Sequence, residues 1–115
     1  MHTKLEGEQK LLRIFVLEQA KWKGLPLYEA IVKEARTLGM AGATATKGCL
    51  GFGRGAHIHT AKLLELSYDL PMLVEIVDTE DKIKTILPKL DEMIDDGLVT
   101  IEPVHVIMYR AGSAK

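Results

Sequence analysis

Five apolar residues late in the chain recur at the spacing of one helix face, and they give the clearest structural signal in the sequence. They are Ile83, Ile86, Leu87, Leu90 and Ile94, which stand at i, i+3, i+4, i+7 and i+11. Asp78 or Thr79 can cap the start of such a helix, whereas Pro88 removes one backbone hydrogen bond inside it. The sequence therefore predicts an amphipathic helix that ends at Asp95–Gly97.

Four other runs have the composition or the alternation of β-strands. They are Lys10–Leu17, Ala43–Cys49, Met72–Val77 and Leu98–Tyr109. In the first run only Arg13 interrupts the second apolar face, which predicts a central strand that is buried on both sides. In the last run Pro103 indicates a sheet edge or a bulge, because proline cannot donate a backbone hydrogen bond.

A second helix of about three turns is expected after the first strand. Its apolar stripe is Leu27, Ile31, Ala35 and Leu38. Pro26 suits the start of this helix and Gly39 its end, and the leucine spacing over Thr60–Leu66 predicts a short extra helix. The order β-α-β-(loop, short helix)-β-α-β, with right-handed crossovers, predicts a ferredoxin-like α+β fold. In that fold two helices cover one face of a four-stranded, mostly antiparallel sheet.

The length of 115 residues predicts one domain, which we place at residues 10–110 between flexible tails at 1–9 and 111–115. With both helices on one side, this chain leaves the other face of its sheet uncovered. The first strand carries leucine and phenylalanine on both faces, so the open face would be a large apolar patch. We therefore expect the protein to oligomerise through this face.

The charge balance and the single cysteine argue against several classes of protein. Fifteen basic and sixteen acidic side chains leave a net charge of −1, which argues against binding to nucleic acid or to an anionic membrane. One cysteine cannot form an intrachain disulfide, and no apolar run approaches the ~20 residues of a membrane span. Residues 1–8 lack the apolar core of a signal peptide, so the expected location is the cytoplasm.

A glycine-rich stretch over residues 47–60 is the expected functional part of the chain. Gly48, Gly51, Gly53 and Gly55 follow a predicted strand and can present a nest of backbone N–H groups to a phosphate. The stretch matches neither the phosphate loop G-x-x-x-x-G-K-[ST] nor the dinucleotide motif G-x-G-x-x-G in its strand-to-helix context. From the residues alone, a plain flexible loop and an anion site are about equally favoured.

Two histidines in this stretch allow a different chemistry. His57 and His59, with Cys49 nearby, are of the types that bind zinc or copper. No C-x-x-C or H-x₃-H partner accompanies them, so contact with a ligand or with solvent is favoured over a metal site. Glu75, a carboxylate in an apolar strand, can lie at a sheet edge, face the hydroxyls of a ligand or face a subunit interface.

Several motifs resemble those of PII-type signalling proteins. Residues 42–47, leading into Gly51-Phe52-Gly53-Arg54, resemble the strand and the loop base of that family. Asp96-Gly97 and Pro103-Val104 resemble its later loop and last strand. Seven segments in order resemble a smaller PII-like family of uncharacterised prokaryotic proteins: Leu12–Phe15, Pro26–Glu29, Gly42–Thr44, Gly51–Gly53, Leu70–Pro71, Val74–Asp78 and Asp96–Val99.

This resemblance implies a trimer of ferredoxin-like subunits whose sheets face inward. It also implies that adenine nucleotides bind in clefts between neighbouring subunits. Matched position by position, the candidate contacts are Thr44, Gly51, Phe52, Gly53, Arg54, Glu75, Val77 and Gly97. Backbone N–H groups and Arg54 suit a phosphate, whereas a hydroxyl or a carboxylate suits a base or a ribose.

Departures from the PII pattern affect the implied ligand. Leu98 stands in place of a phosphate-binding lysine. The paired arginines of the last PII strand fall on Tyr109 and Ala111, although Arg110 lies between them and is a further candidate contact. Fewer cations remain for a triphosphate, so AMP or ADP is favoured over ATP. Three other residues are expected to supply part of the missing charge: Lys47, His57 and His59.

The expected function is therefore that of a non-enzymatic trimeric sensor, which binds an adenine nucleotide and signals through the conformation of loop 51–60. No metal is expected, and a membrane transporter or channel is implied as its client. The alternative is a metal- or ion-responsive binding protein that uses His57, His59 and Cys49. An enzyme is disfavoured because the sequence shows neither an activated nucleophile nor a pair of metal-binding carboxylates.

Overall fold

A four-stranded sheet with two helices forms the body of the computed structural model, which describes residues 5–52, 59–60 and 70–112. In chain order the elements are β1 Gly7–Leu17, β2 Lys21–Trp22, β3 Leu25–Pro26, α1 Leu27–Thr37, β4 Thr44–Lys47, β5 Leu50–Gly51, β6 His59–Thr60, β7 Pro71–Asp78, α2 Glu80–Met93 and β8 Leu98–Val106. The main sheet has the order β4-β7-β1-β8, and each neighbouring pair is antiparallel. The predicted ferredoxin-like α+β fold is confirmed.

The hydrophobic core lies between the helices and one face of this sheet. Its members from β1 and α2 are Leu12, Ile14, Val16, Ile83, Ile86, Leu90 and Met93. Leu87 and Ile94, the other members of the predicted helical stripe, are only partly buried against this core. Thr79 caps α2, because its hydroxyl oxygen accepts a hydrogen bond from the backbone N–H of Lys82 at 3.2 Å.

The opposite face of the sheet is open in the single chain. Phe15 of β1 stands opposite Leu98 of β8 on this face, and their side chains are 37% and 57% exposed. The prediction that β1 is buried on both sides is therefore wrong for one chain, because the helices cover only the face that carries Leu12. The predicted edge position of the last strand is confirmed, since β8 and its Pro103 lie at the end of the sheet.

All four predicted strands differ from the structure in at least one boundary, and the differences are largest in β1 and β8. β1 begins at Gly7 instead of Lys10, because residues 7–9 pair with residues 104–106 of β8. These residues therefore belong to the sheet and not to a flexible tail. β8 ends at Val106, before the predicted end at Tyr109, and the segment that follows leaves the strand direction to contact Ala41.

Most of the predicted short helix over Thr60–Leu66 lies outside the described residues. Thr60 itself belongs to β6, where it pairs with Leu50 of β5. Among the described residues, no helix is long and apolar enough to cross a membrane.

Candidate functional site

A cavity of about 570 Å³ opens on the uncovered face of the sheet. Its lining includes Leu11, Thr44, Glu75, Val77, Met108 and Tyr109. Thr44 stands opposite Glu75, and Leu11 stands opposite Val77, so strand pairing turns these side chains toward the same face. The structure thus brings together three of the predicted nucleotide contacts, which come from two strands.

The polar groups of this cavity are few and lie among apolar walls. Leu11, Val77 and Met108 supply apolar surface, whereas Thr44 offers a hydroxyl and Glu75 a carboxylate. This combination, in which a small number of polar groups orients a molecule held mainly by apolar contact, is typical of small-molecule sites.

Glu75 is held by an arginine on the neighbouring strand. Nε of Arg13 lies 2.9 Å from Oε2 of Glu75, and the same guanidinium also pairs with Glu102 on β8. The hydrogen bond to Glu75 and the negative charge of Glu102 raise the pKa of Arg13 above its ordinary value. One cation therefore bridges three strands on the open face and fixes the Glu75 carboxylate beside the cavity.

A buried carboxylate positions the wall of the cavity formed by the α1–β4 connection. Asp78, only 4% exposed, accepts hydrogen bonds from the backbone N–H groups of Ala41 at 2.8 Å and Thr79 at 2.7 Å. The peptide at Ala41 also makes a hydrogen bond on the other side, because its carbonyl oxygen accepts from the hydroxyl of Tyr109 at 2.7 Å. Asp78 thus couples this wall to the start of α2, where Thr79, the other residue expected from sequence, is the cap.

Lys47 lies at the other end of β4 and on the other face of the sheet from Thr44. Its Nζ is 2.7 Å from Oε2 of Glu18, and this hydrogen bond raises the pKa of Lys47 above its ordinary value. The backbone N–H of Glu18 donates to the carbonyl oxygen of Leu70 at 2.8 Å. Glu18 therefore contacts the chain at Lys47, where the glycine-rich stretch begins, and at Leu70, next to β7. A smaller cavity of about 390 Å³, lined in part by Glu18 and Tyr28, lies at this point.

The root of the glycine-rich loop is described, but its tip is not. Gly51 pairs with His59 in the β5–β6 ladder, and the side chain of Phe52 is 72% exposed. Three predicted contacts lie outside the described residues: Gly53, Arg54 and His57. The structure therefore places Gly51 and Phe52 at the loop root without testing the phosphate nest.

The alternative metal site would use Cys49, His57 and His59, and the structure describes these residues only in part. Cys49 is exposed and unpaired with any other cysteine, and His59 is described only through its backbone in β6. No group of three or more metal-binding side chains occurs within residues 5–52, 59–60 and 70–112. His57 falls outside those ranges, so the metal site remains a prediction.

One predicted contact lies away from Thr44, and another directly follows a residue of the cavity lining. Gly97 precedes β8 at the opposite edge of the sheet from β4, so one chain does not bring it to Thr44. A Cβ atom at Gly97 would stand 2.7 Å from the carbonyl oxygen of Phe15, which gives this glycine a packing role of its own. Arg110 is exposed and directly follows Tyr109.

Several residues that position or line the cavity were not predicted as site residues, among them Ala41, Asp78, Met108 and Tyr109. The sequence could have indicated the role of Asp78, since it alternates with Met72, Val74 and Ile76 on the buried face of β7, and a buried carboxylate needs hydrogen-bond partners. No sequence pattern indicated Met108 and Tyr109, because their positions depend on the path of the chain after β8.

Comparison with known protein families identifies relatives over most of the chain. The model of the family DUF190, described as Uncharacterized ACR, COG1993, matches residues 9–106. A UPF0166 protein of Aquifex aeolicus (strain VF5) is 39% identical over 100 residues, which is 87% of this chain and 94% of that protein. A UPF0166 protein of Methanocaldococcus jannaschii is 39% identical over 99 residues, which is 84% of this chain and 90% of that protein.

Solved structures of PII-like proteins have the same fold. CPII from Thiomonas intermedia K12, bound to ADP and bicarbonate, matches with a TM-score of 0.64 at 18% identity, over 86% of this chain and 88% of that chain. A Thermus thermophilus structure described as a PII-like signaling protein matches with a TM-score of 0.63 at 21% identity, over 88% of this chain and 91% of that chain.

Proposed function

We propose that this chain, which belongs to the DUF190 family and has the fold of PII-like proteins, is a non-enzymatic regulatory protein that binds an adenine nucleotide. The observation that carries the proposal is the cavity in which Thr44, Glu75 and Val77 come together. Its volume of about 570 Å³ is that of a small-molecule site. Apolar walls suit a flat base, and the hydroxyl and carboxylate groups suit the polar edge of a base or a ribose.

The nucleotide would lie along the β4 edge of the sheet, with its phosphate groups toward the loop root. Thr44 and Lys47 are three residues apart on β4, which separates them by about 10 Å along an extended strand. Lys47 is already paired with Glu18, so few free cations are available for phosphate among the described residues near this edge. We therefore propose AMP or ADP as the ligand, with Gly51, Phe52, Gly53, Arg54, His57 and His59 on its phosphate side.

Two structures of CPII support this class of ligand. That protein has been solved with ADP and bicarbonate, and also with ADP, AMP and bicarbonate. Since its fold extends over 86% of this chain, we infer a related cleft here.

The assembly that we propose is a homotrimer with the open sheet faces turned inward. Phe15 and Leu98 leave apolar surface on this face, and such surface is normally buried by a partner. A neighbouring chain can also bring its Gly97 toward the β4 edge, because within one chain Gly97 lies at the opposite edge of the sheet. We expect the mass in solution to equal that of three chains, as measured by light scattering; a stable monomer would contradict the assembly.

The proposed output is the conformation of loop 51–60. The chain is fixed on either side of this loop, at residues 47–48 and 70–71, since the backbone N–H of Gly48 donates to the carbonyl oxygen of Pro71 at 2.7 Å and Glu18 contacts Lys47 and Leu70. A ligand-dependent change is therefore confined to the residues between these points, where a partner can detect it. We place the protein in the cytoplasm, with a membrane transporter or channel as the predicted client.

Replacing Thr44 by valine tests the nucleotide site directly. The variant keeps the branched shape of the side chain but loses the hydroxyl. We expect calorimetric titration to show about a tenfold weaker affinity for AMP, because a hydrogen bond to the ligand is lost. Thr85→Val is the matched control, since Thr85 is exposed on α2 and outside the lining of the cavity, so this variant should bind AMP with the wild-type affinity.

The same titration separates the proposed function from its alternative. Saturable binding of AMP or ADP that Arg54→Ala abolishes supports the sensor. Binding of zinc without any nucleotide, lost in a His57→Ala/His59→Ala double variant, would instead establish the metal-responsive protein. Turnover of AMP, ADP or ATP would show an enzyme.

A further inference from the structure

Tyr109 lies at the wall of the cavity although it is beyond the last strand. Its hydroxyl donates a hydrogen bond to the carbonyl oxygen of Ala41 at 2.7 Å, and both residues line the cavity. This bond joins the segment after β8 to the α1–β4 connection, across the end of the sheet. Since the hydroxyl proton is used by the backbone, Tyr109 offers a bound molecule the acceptor side of its hydroxyl oxygen and, as its largest surface, its aromatic ring.

The position of this ring depends on a buried group. Ala41 is fixed from the other side, because its backbone N–H donates to Oδ2 of Asp78 at 2.8 Å. Asp78 also receives the N–H of Thr79, the residue that caps α2. Tyr109 is thus tied to the core through two successive hydrogen bonds, even though its own side chain is 45% exposed. A ring held in this way is arranged before a ligand arrives, which reduces the entropy lost on binding.

The surroundings of the ring favour a flat aromatic ligand. Leu11, Val77 and Met108 line the same cavity with apolar side chains. Aromatic rings prefer offset-stacked or edge-to-face contact, and a nucleobase has a π-face that stacks on tyrosine. The polar groups of Thr44 and Glu75 belong to the same lining and can contact the edge of such a base.

We propose that Tyr109 determines the preference of this site for a nucleobase by stacking on it. This inference rests on the proposed function, because it assigns the base-binding half of the same site. It goes further in that it names the residue that makes the site selective for an aromatic ring. It also gives a role to the segment after β8.

The test compares three variants of Tyr109 by calorimetric titration with AMP. Tyr109→Phe and Tyr109→Trp keep an aromatic ring, and both should bind AMP within about threefold of the wild type. Tyr109→Leu keeps an apolar side chain but loses stacking, so its affinity should fall about tenfold. Tyr28→Leu is the matched control. Because Tyr28 lines the other cavity, this variant should bind AMP with the wild-type affinity. Thermal unfolding checks that each variant is folded.

The outcomes distinguish this inference from the function on which it rests. If the wild type binds no AMP, ADP or ATP, the proposed function fails and this inference fails with it. If the wild type binds AMP and Tyr109→Leu binds it equally well, only the role of Tyr109 is overturned. Equal losses in the phenylalanine, tryptophan and leucine variants would also overturn it, because they would show that the hydroxyl contact with Ala41, and not the ring, matters.

Discussion

Replacing Gly97 by alanine is expected to lower the free energy of unfolding by about 2 kcal/mol, within the range measured for overpacked sites. The new Cβ atom would stand 2.7 Å from the carbonyl oxygen of Phe15, 3.0 Å from Cγ2 of Ile94 and 3.2 Å from Cγ1 of Val16. The first of these atoms belongs to the backbone of the central strand, so it cannot move aside without disturbing the pairing of β1. The midpoint of thermal unfolding should fall by roughly 10 °C.

Gly42→Ala is the control for this experiment. A Cβ atom at Gly42 meets nothing within 4 Å, so this variant should unfold close to the wild-type temperature. Calorimetric melting at one protein concentration compares the two, because the stability of an oligomer depends on concentration. Equal melting temperatures for Gly97→Ala and Gly42→Ala would show that the backbone at the start of β8 can move to accept the new Cβ atom. The packing role of Gly97 would then be contradicted, and only its proposed contact with the ligand would remain.

The main elements could be predicted because each has a local pattern. The stripe from Ile83 to Ile94 can bury itself only as a helix, and the structure has α2 over Glu80–Met93. Pro103 indicated an edge strand because proline has no backbone N–H group to donate to a neighbouring strand, and β8 lies at the edge of the sheet. In both cases the residue or spacing that decides the structure lies inside the element itself.

The candidate site could be predicted only in part because it is assembled by strand pairing. Thr44 and Glu75 were both singled out, but their direct opposition follows from the β4–β7 register, which no short stretch of sequence encodes. Tyr109 was noted only as a departure from the PII pattern. Its contact with Ala41 depends on the path of the irregular segment after Val106 and on a partner 68 positions away, and neither leaves a pattern in the sequence.

The connection between β1 and α1 shows the same limit on a smaller scale. Residues 19–24 carry no strand or helix pattern in the sequence, but Lys21–Trp22 pairs with Leu25–Pro26 as a short hairpin. The turn places Lys23 at φ 48° and Gly24 at φ 86°. A lysine rarely indicates a positive φ angle, so sequence alone did not reveal this hairpin.

Removing the buried carboxylate of Asp78 should have the largest effect on stability, and it should also weaken ligand binding. Asp78→Ala leaves the N–H groups of Ala41 and Thr79 without their acceptor in a buried place. We expect a loss of about 3 kcal/mol, because each hydrogen bond to a charged group contributes about 1.5–3 kcal/mol and an unsatisfied buried donor adds a further cost. Asp78→Asn, which keeps one acceptor oxygen, should lose less.

Asp91→Ala provides the control, since Asp91 is an exposed carboxylate on α2 and its removal should change stability little. Denaturant unfolding measures the stability of all three variants, and calorimetric titration with AMP measures the site. Because Asp78 fixes Ala41, and Ala41 belongs to the cavity wall that leads into Thr44, the Asp78→Asn protein should bind AMP several-fold more weakly even under conditions where it is fully folded. Wild-type affinity in folded Asp78→Asn would mean that the wall of the cavity keeps its position without this carboxylate.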